Sequence, residues 1–184
     1  MIILVDMDGT IADFNGGIEA IWEREFLPSF GHKFRAGDLI QFEIVEAFPK
    51  ELQEIVRGIY LRKGFYENLL PLPGAMQALN QIRATGIEVF ICTSPVTFYE
   101  HCVVEKYRWV EKYLGREFVK RIVLTKDKTL VHGDILIDDK PEIKGVMKPS
   151  WRHVLFDAPY NRTIDKPRVI LWHRWQLEIL SQYT

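Results

Sequence analysis

The chain has 184 residues, of which 47% are hydrophobic and 27% charged, with a formal net charge of −1; this is the balance of a soluble globular protein, large enough for one domain or one domain with a sizeable insertion. It lacks the basic excess that binding a nucleic-acid polymer requires, although a mononucleotide stays open as a ligand. No apolar run approaches membrane length, and Cys92 and Cys102 alone make neither a zinc knuckle nor a disulfide scaffold, so a cytoplasmic protein with reduced thiols is expected, with Cys92 exposed to oxidation.

The first element is Ile2-Ile3-Leu4-Val5, which runs into Asp6-Met7-Asp8-Gly9-Thr10. Four apolar residues ending at carboxylates read as a buried parallel strand, and ligands of open α/β sheets gather at such ends. With no basic flank and with aspartates interrupting it at once, the segment is not expected to be a secretory signal. Asp6 and Asp8 lie two apart, so in extended backbone they share a face toward one hard cation or one phosphate. Gly9 lets the chain leave the strand sharply.

Beyond Gly17 the apolar residues Ile18, Ile21, Trp22 and Phe26 recur at helical spacing, and this helix is expected to end near Pro28. Asp38 is a candidate cap for a short helix carrying Leu39 and Phe42, and Pro49 a candidate opening of another through Leu52, Ile55, Val56, Ile59 and Tyr60. Residues 15–70 contain no convincing strand, which fits a helical insertion. Pro71 and Pro73 then return the chain to regular alternation. A helix over 75–85 precedes a strand over 87–92, and an amphipathic helix over 99–114 offers Tyr107, Val110, Tyr113 and Leu114 for packing. Its Lys106, Arg108 and Lys112 read either as a solvated basic face or, for Lys106, as a phosphate neighbour. Short strands follow at 121–124, 135–137, 153–156 and 168–171, with a last helix from Trp175 to the end. Strands alternating with helices imply a parallel sheet with right-handed crossovers. Trp172, Arg174 and Trp175 invite base stacking, but packing of the last helix is the simpler account.

Three later segments supply chemistry that the first lacks. Thr93-Ser94-Pro95 offers hydroxyls and N–H donors at a turn, Lys128 is a point charge for a carboxylate or phosphoryl group, and Asp138-Asp139 needs a compensating cation. With Asp6, the Asp138-Asp139 pair could complete an oxygen-ligand Mg²⁺ site, either carboxylate making the contact.

This order of motifs resembles that of the haloacid dehalogenase phosphatases. The strings Asp13-Phe14-Asn15-Gly16-Gly17, Ile91-Cys92-Thr93-Ser94-Pro95, Glu105-Lys106-Tyr107-Arg108-Trp109-Val110-Glu111-Lys112-Tyr113, Leu124-Thr125-Lys126-Asp127-Lys128-Thr129 and Leu136-Ile137-Asp138-Asp139-Lys140-Pro141 are similar to the 5′(3′)-deoxyribonucleotidases. The resemblance covers most of the chain and is weakest over 29–58. It implies a three-layer, Rossmann-like α/β core (1–14 and 72–184) with a small helical cap (15–71). It further implies a Mg²⁺-dependent phosphatase acting on nucleoside monophosphates, with pyrimidine deoxynucleotides preferred. Asp6 would be the nucleophile that forms an aspartyl-phosphate, and Asp8 the general acid/base. The metal would sit on Asp6, the Asp8 carbonyl and Asp139, with Asp138 in support. Thr93, Ser94 and Lys128 would hold the phosphate, and Phe14 and Tyr60 the base, with Phe42 on the same wall. The partner is then a small molecule rather than a membrane or nucleic acid, and a homodimer stays open. A phosphatase of sugar phosphates or of broad range is the nearest alternative. A receiver-like signalling domain is the rival of another class, disfavoured because an acid/base two residues from the phospho-aspartate would hasten its loss.

Overall fold

In the computed structural model of the protein, residues 1–179 are described. Ile2–Val5 forms β1, and the absence of exposed surface on Ile3, Leu4 and Val5 is what a central parallel strand covered on both faces requires. The strands β2 (Glu88–Thr93), β3 (Ile122–Leu124), β4 (Ile135–Asp138), β5 (Arg152–Phe156) and β6 (Arg168–Val169) join it in one parallel sheet of order β3-β2-β1-β4-β5-β6. The order reverses at β1, between β2 and β4, which places the switch-point crevice at the carboxyl ends of these strands. The last strand is shorter than its apolar run, because Ile170 and Leu171 lie exposed at the sheet edge.

Side-chain alternation divides β1 between two clusters. Ile3 and Val5 pack with Leu79 and Ile82 of α4 (Ala75–Ala84) and with Trp109 and Val110 of α5 (Cys102–Leu114). Leu4 faces the other way and joins Cys92, Leu136 and Trp151. That second face is covered by the segments flanking β4, 125–134 and 139–151, whose helical content is a single 3-10 turn at Lys128–Leu130. The cover lies close: a Cβ on Gly133 would stand 2.9 Å from Leu4 Cγ. Burial drives the Cys92 thiol up to about 12, which keeps it protonated and removes the expected susceptibility to oxidation.

Between β1 and β2 the described chain is helical or irregular, with no strand. Asp13 accepts a hydrogen bond from Gly16 N at 3.0 Å and so starts α1 (Phe14–Glu25) earlier than the apolar period suggests. α1 ends at Glu25, near Pro28 as expected, and Pro28 itself sits in the first turn of the short α2 (Leu27–Phe30). Asp38 closes a 3-10 turn at Ala36–Asp38 and caps nothing with its side chain. Pro49 does precede helical structure, a turn at Lys50–Leu52 leading into α3 (Gln53–Leu61). The insertion leaves and rejoins the sheet through paired backbone, Asp13 N donating to the Leu70 carbonyl and Leu72 N to the Ile11 carbonyl, each at 2.8 Å.

In α5 the inward face is Cys102, Glu105, Lys106, Trp109 and Val110, whereas Tyr107 is exposed. Lys106 therefore does not join Arg108 and Lys112 on a basic surface. After the short α6 (Arg116–Val119), the final described helix is α7 (Trp175–Ile179), and the expected continuation to the end lies outside the described residues. Trp172 and Trp175 are buried at 1% exposure, which settles their role as packing.

His153 on β5 is half-buried, and burial together with the Lys166 ammonium pulls its imidazole down to about 4. Below the ordinary value of about 6.5 the unfolded chain takes a proton that the folded chain refuses, so stability falls as pH drops from about 6.5 toward 4. Partial exposure screens the effect to about 1–2 kcal/mol. Urea unfolding of His153→Gln should show a pH 7-to-5 loss smaller than wild type by about 1 kcal/mol.

Candidate active site

The register of β1 against β4 pairs Val5 with Ile137, so the next residues, Asp6 and Asp138, emerge side by side at the strand ends. Asp6 N completes the ladder by donating to the Ile137 carbonyl at 2.8 Å. Asp139 follows, and oxygens of Asp6, Asp138 and Asp139 lie within 4.8 Å of one another, all three side chains being buried. Lys128, from the 3-10 turn beneath, donates to Asp6 Oδ1 and to Asp138 Oδ2, the latter at 2.6 Å. Burial by itself would strip the Lys128 proton, but the Asp6 and Asp138 carboxylates outweigh it and hold the ammonium charged. One lysine does not neutralise three carboxylates: burial, then Asp138 and Asp6, push the Asp139 carboxyl well above its ordinary range. Three converging oxygen donors with excess negative charge suit a hard divalent cation.

Two further contacts aim Asp139. Thr10 Oγ1 donates to its Oδ1 at 3.1 Å, and the Tyr160 hydroxyl donates to its Oδ2. The approach depends on Gly9, whose φ is +75° and whose missing Cβ would stand 2.7 Å from Asp139 Oδ2. Behind the turn, Trp172 Nε1 donates to the Thr10 carbonyl at 2.8 Å. Asn161, fully buried, donates to the Asp139 and Phe156 carbonyls at 2.7 and 2.8 Å.

Asp8 faces the same space from the other side. Its Oδ2 accepts from Lys106 Nζ at 2.7 Å, and that ammonium also donates to Thr93 Oγ1 at 2.7 Å and to the Ser94 carbonyl at 2.9 Å. Asp8 Oδ1 is buried with no partner. Burial pushes both the Asp6 and Asp8 carboxyls up from their ordinary values.

Two cavities meet here. One, of about 310 Å³, is lined by Asp6, Asp8, Thr93, Ser94, Lys128, Asp138, Asp139 and the lysines 126, 140 and 144. The other, of about 200 Å³, is aromatic, with Phe14, Phe42, Tyr60, Tyr66 and Tyr160 around it and Asp8 and Asp139 at its mouth. Phe14 is the hub of the aromatic wall, its ring centroid 5.7 Å from that of Tyr60, 5.4 Å from Phe65 and 6.1 Å from Tyr66. Phe42 reaches across from the insertion to stand edge-on to Tyr160 at 5.7 Å, with Lys140 Nζ 5.3 Å from its ring centroid.

All of the residues singled out in the sequence (Asp6, Asp8, Phe14, Phe42, Tyr60, Thr93, Ser94, Lys128, Asp138 and Asp139) therefore line this pair of cavities. Tyr66, Tyr160 and Asn161 join the site without having been expected there, and Lys106, left open between a solvated face and a phosphate neighbour, turns inward onto Asp8 and the Thr93 turn. For Lys106 a signal exists: it falls on the apolar stripe through Cys102 and Trp109, where a solvated lysine does not belong. Tyr160 and Asn161 carry no such mark, since an Ala-Pro-Tyr-Asn turn looks like any other turn.

A haloacid dehalogenase (HAD) family hydrolase of Deinococcus radiodurans, solved with bound phosphate and sodium, superposes with a TM-score of 0.60 at 15% identity, covering 98% of this chain and 94% of its own. The chain thus has the fold of the haloacid dehalogenase hydrolases. Sequence carries the assignment further: the family described as 5′ nucleotidase, deoxy (pyrimidine), cytosolic type C protein matches residues 1–182, and the chain belongs to it. The human cytosolic-type 5′(3′)-deoxyribonucleotidase is 44% identical over 97% of this chain and 92% of its own length. The human mitochondrial 5′(3′)-deoxyribonucleotidase is 42% identical over 94% and 78%. The protein is accordingly a phosphoric monoester hydrolase of the 5′-nucleotidase type.

Removing one partner of a buried charge cluster leaves the rest uncompensated, at a cost of about 3 kcal/mol. In EDTA, Lys128→Met should melt about 6–12 °C below wild type by circular dichroism. A divalent cation should restore part of that difference.

Proposed function

We propose that the protein hydrolyses nucleoside monophosphates, with pyrimidine deoxynucleotides as the preferred class, through a phosphorylated Asp6. The observation that carries this reading is the junction of a carboxylate-and-lysine cavity with an aromatic one at Asp8 and Asp139: the first suits a phosphoryl group and the second a planar base. A sugar phosphate would leave the aromatic wall without a stacking partner.

Residues 15–71 act as the cap, hinged at the paired backbone of 11–13 and 70–72, and Phe42 closes over the site from it. Thr93, Ser94 and Lys128 grip the phosphate oxygens, and Lys128 offsets charge on Asp6 during the transfer. Asp6 attacks phosphorus, while Asp8 donates a proton to the departing nucleoside oxygen and later accepts one from the attacking water. Mg²⁺ bound by Asp6, the Asp8 carbonyl and Asp139, with Asp138 beside them, would supply charge neutralisation and orientation of the phosphoryl group. Phe14 and Tyr60 flank the base, in the company of Tyr66 and Tyr160.

Phosphate release from deoxy- and ribonucleoside 5′- and 3′-monophosphates and from sugar phosphates tests the reading. Release strongest on dUMP or dTMP, abolished by EDTA and lowered by at least about 10³-fold in Asp6→Asn, is expected. Preference for sugar phosphates would discard the substrate assignment while keeping the chemistry. Tyr60→Ala should raise KM for nucleotides about tenfold, with a smaller change in kcat, because stacking acts alike on ground and transition states.

A further inference from the structure

Lys106 is a charged side chain at 1% exposure, on the inward face of α5. Burying an ammonium is costly unless all its protons are taken. An ammonium has three N–H groups, and here Asp8 Oδ2, Thr93 Oγ1 and the Ser94 carbonyl take them at 2.7, 2.7 and 2.9 Å. None is left for a phosphate oxygen. Lys128, by contrast, spends two on carboxylates and keeps one. The two lysines of the site thus have different tasks.

Asp8 is divided by this contact. Its Oδ2 is tied to Lys106, whereas its Oδ1 is unpartnered and Asp8 borders both cavities. We propose that Lys106 is a positioning residue for the acid/base, clamping Asp8 through Oδ2 and so fixing its carboxyl group at the junction of the two cavities. The proposal rests on the acid/base role given to Asp8 above. As the Asp6–phosphorus bond forms and the phosphorus–ester oxygen bond breaks, the protonated Asp8 carboxyl passes its proton to the departing alkoxide. When water attacks the phosphoryl group, the Asp8 carboxylate takes the water proton as the Asp6–phosphorus bond breaks, and both aspartates return to their starting state. The same ammonium fixes the Thr93 hydroxyl and the turn carbonyl at Ser94, so the acid/base and the phosphate-binding turn share one anchor.

The clamp predicts a dependence on the leaving group. A nucleoside alkoxide is strongly basic and needs the proton, whereas nitrophenolate leaves without one. The quantity to measure is kcat/KM, which stops at the first irreversible step, for dUMP and for p-nitrophenyl phosphate with Mg²⁺. Lys106→Met should lose about 100-fold on the nucleotide, the ordinary scale of general acid catalysis, and under about fivefold on the aryl ester. Lys106→Gln keeps a donor for Oδ2 and should recover about tenfold of the nucleotide loss. Melting temperature and inhibition by inorganic phosphate report on folding and phosphate binding in both variants. If Lys106→Met fails to fold, the nucleotide-to-aryl ratio in Lys106→Gln decides, a ratio equal to wild type counting against the clamp. Equal losses on the two substrates, or no loss on either, would overturn the proposal. A wild type that cleaves the aryl ester but no nucleotide refutes the substrate reading alone, and the same ratio is then taken against an alkyl phosphate that it does cleave; a wild type that cleaves no phosphate ester overturns both.

Discussion

Three carboxylates crowded at the ends of neighbouring parallel strands, with Lys128 driven between two of them, are the constraint that the surrounding structure answers. Like charges in a buried site repel strongly, and burial makes each harder to keep ionised. Register places Asp6 beside Asp138, Gly9 makes room for Asp139, and Thr10 and Tyr160 hold its oxygens in place. Trp172 and Asn161 support the turn and the Asp139 backbone from behind. The site is thus braced by residues from both ends of the chain, on a sheet whose core is tightly packed. Such bracing suits phosphoryl transfer, in which the protein contributes mainly position and charge.

Helix α5 links this site to the insertion. Its Lys106 reaches Asp8 and the Thr93 turn, while the adjacent Glu105 accepts the Gly64 and Tyr66 backbone N–H groups at 2.6 and 3.1 Å. Trp109, a turn further on, donates to the Leu69 carbonyl at 2.8 Å. The returning arm of the insertion is therefore fastened to the same helix that holds Asp8, and Tyr66 brings its ring from that arm into the aromatic cavity. The departing arm contributes Phe14 on α1, capped by Asp13. Both arms place an aromatic ring on the aromatic cavity, so the paired backbone of 11–13 with 70–72 and the aromatic wall belong to neighbouring short segments.

The insertion itself relies on aromatic packing rather than on long helices. Trp22 is buried against Phe48 at 4.7 Å and donates its indole N–H to the His32 carbonyl. Phe34 packs against Phe48 with the rings tilted and their centroids 4.9 Å apart. These contacts organise 3-10 turns and loops that propensity alone would leave unformed, and they carry Phe42 out to meet Tyr160.

The local pattern was enough to recognise the strands, the helical insertion and the motif aspartates, because apolar runs, Gly-Asp turns and carboxylates at strand ends each follow from short-range physics. Asp6, Asp8, Asp138 and Asp139 were legible for that reason, whereas Thr93 and Lys128 stood out only through the order of motifs and the family resemblance. Element ends were less so: α1 starts at Phe14 on its Asp13 cap, ahead of the apolar period, and Asp38 closed a turn where a cap was expected. What only tertiary structure decided was which groups meet across distance. Lys106 and Asp8 are 98 residues apart, and Tyr160 and Asp139 are 21 apart. Whether a lysine on a helix is solvated or buried, and which tyrosine in a turn touches a carboxylate, depends on the packing of other elements against it, and no local spacing carries that information.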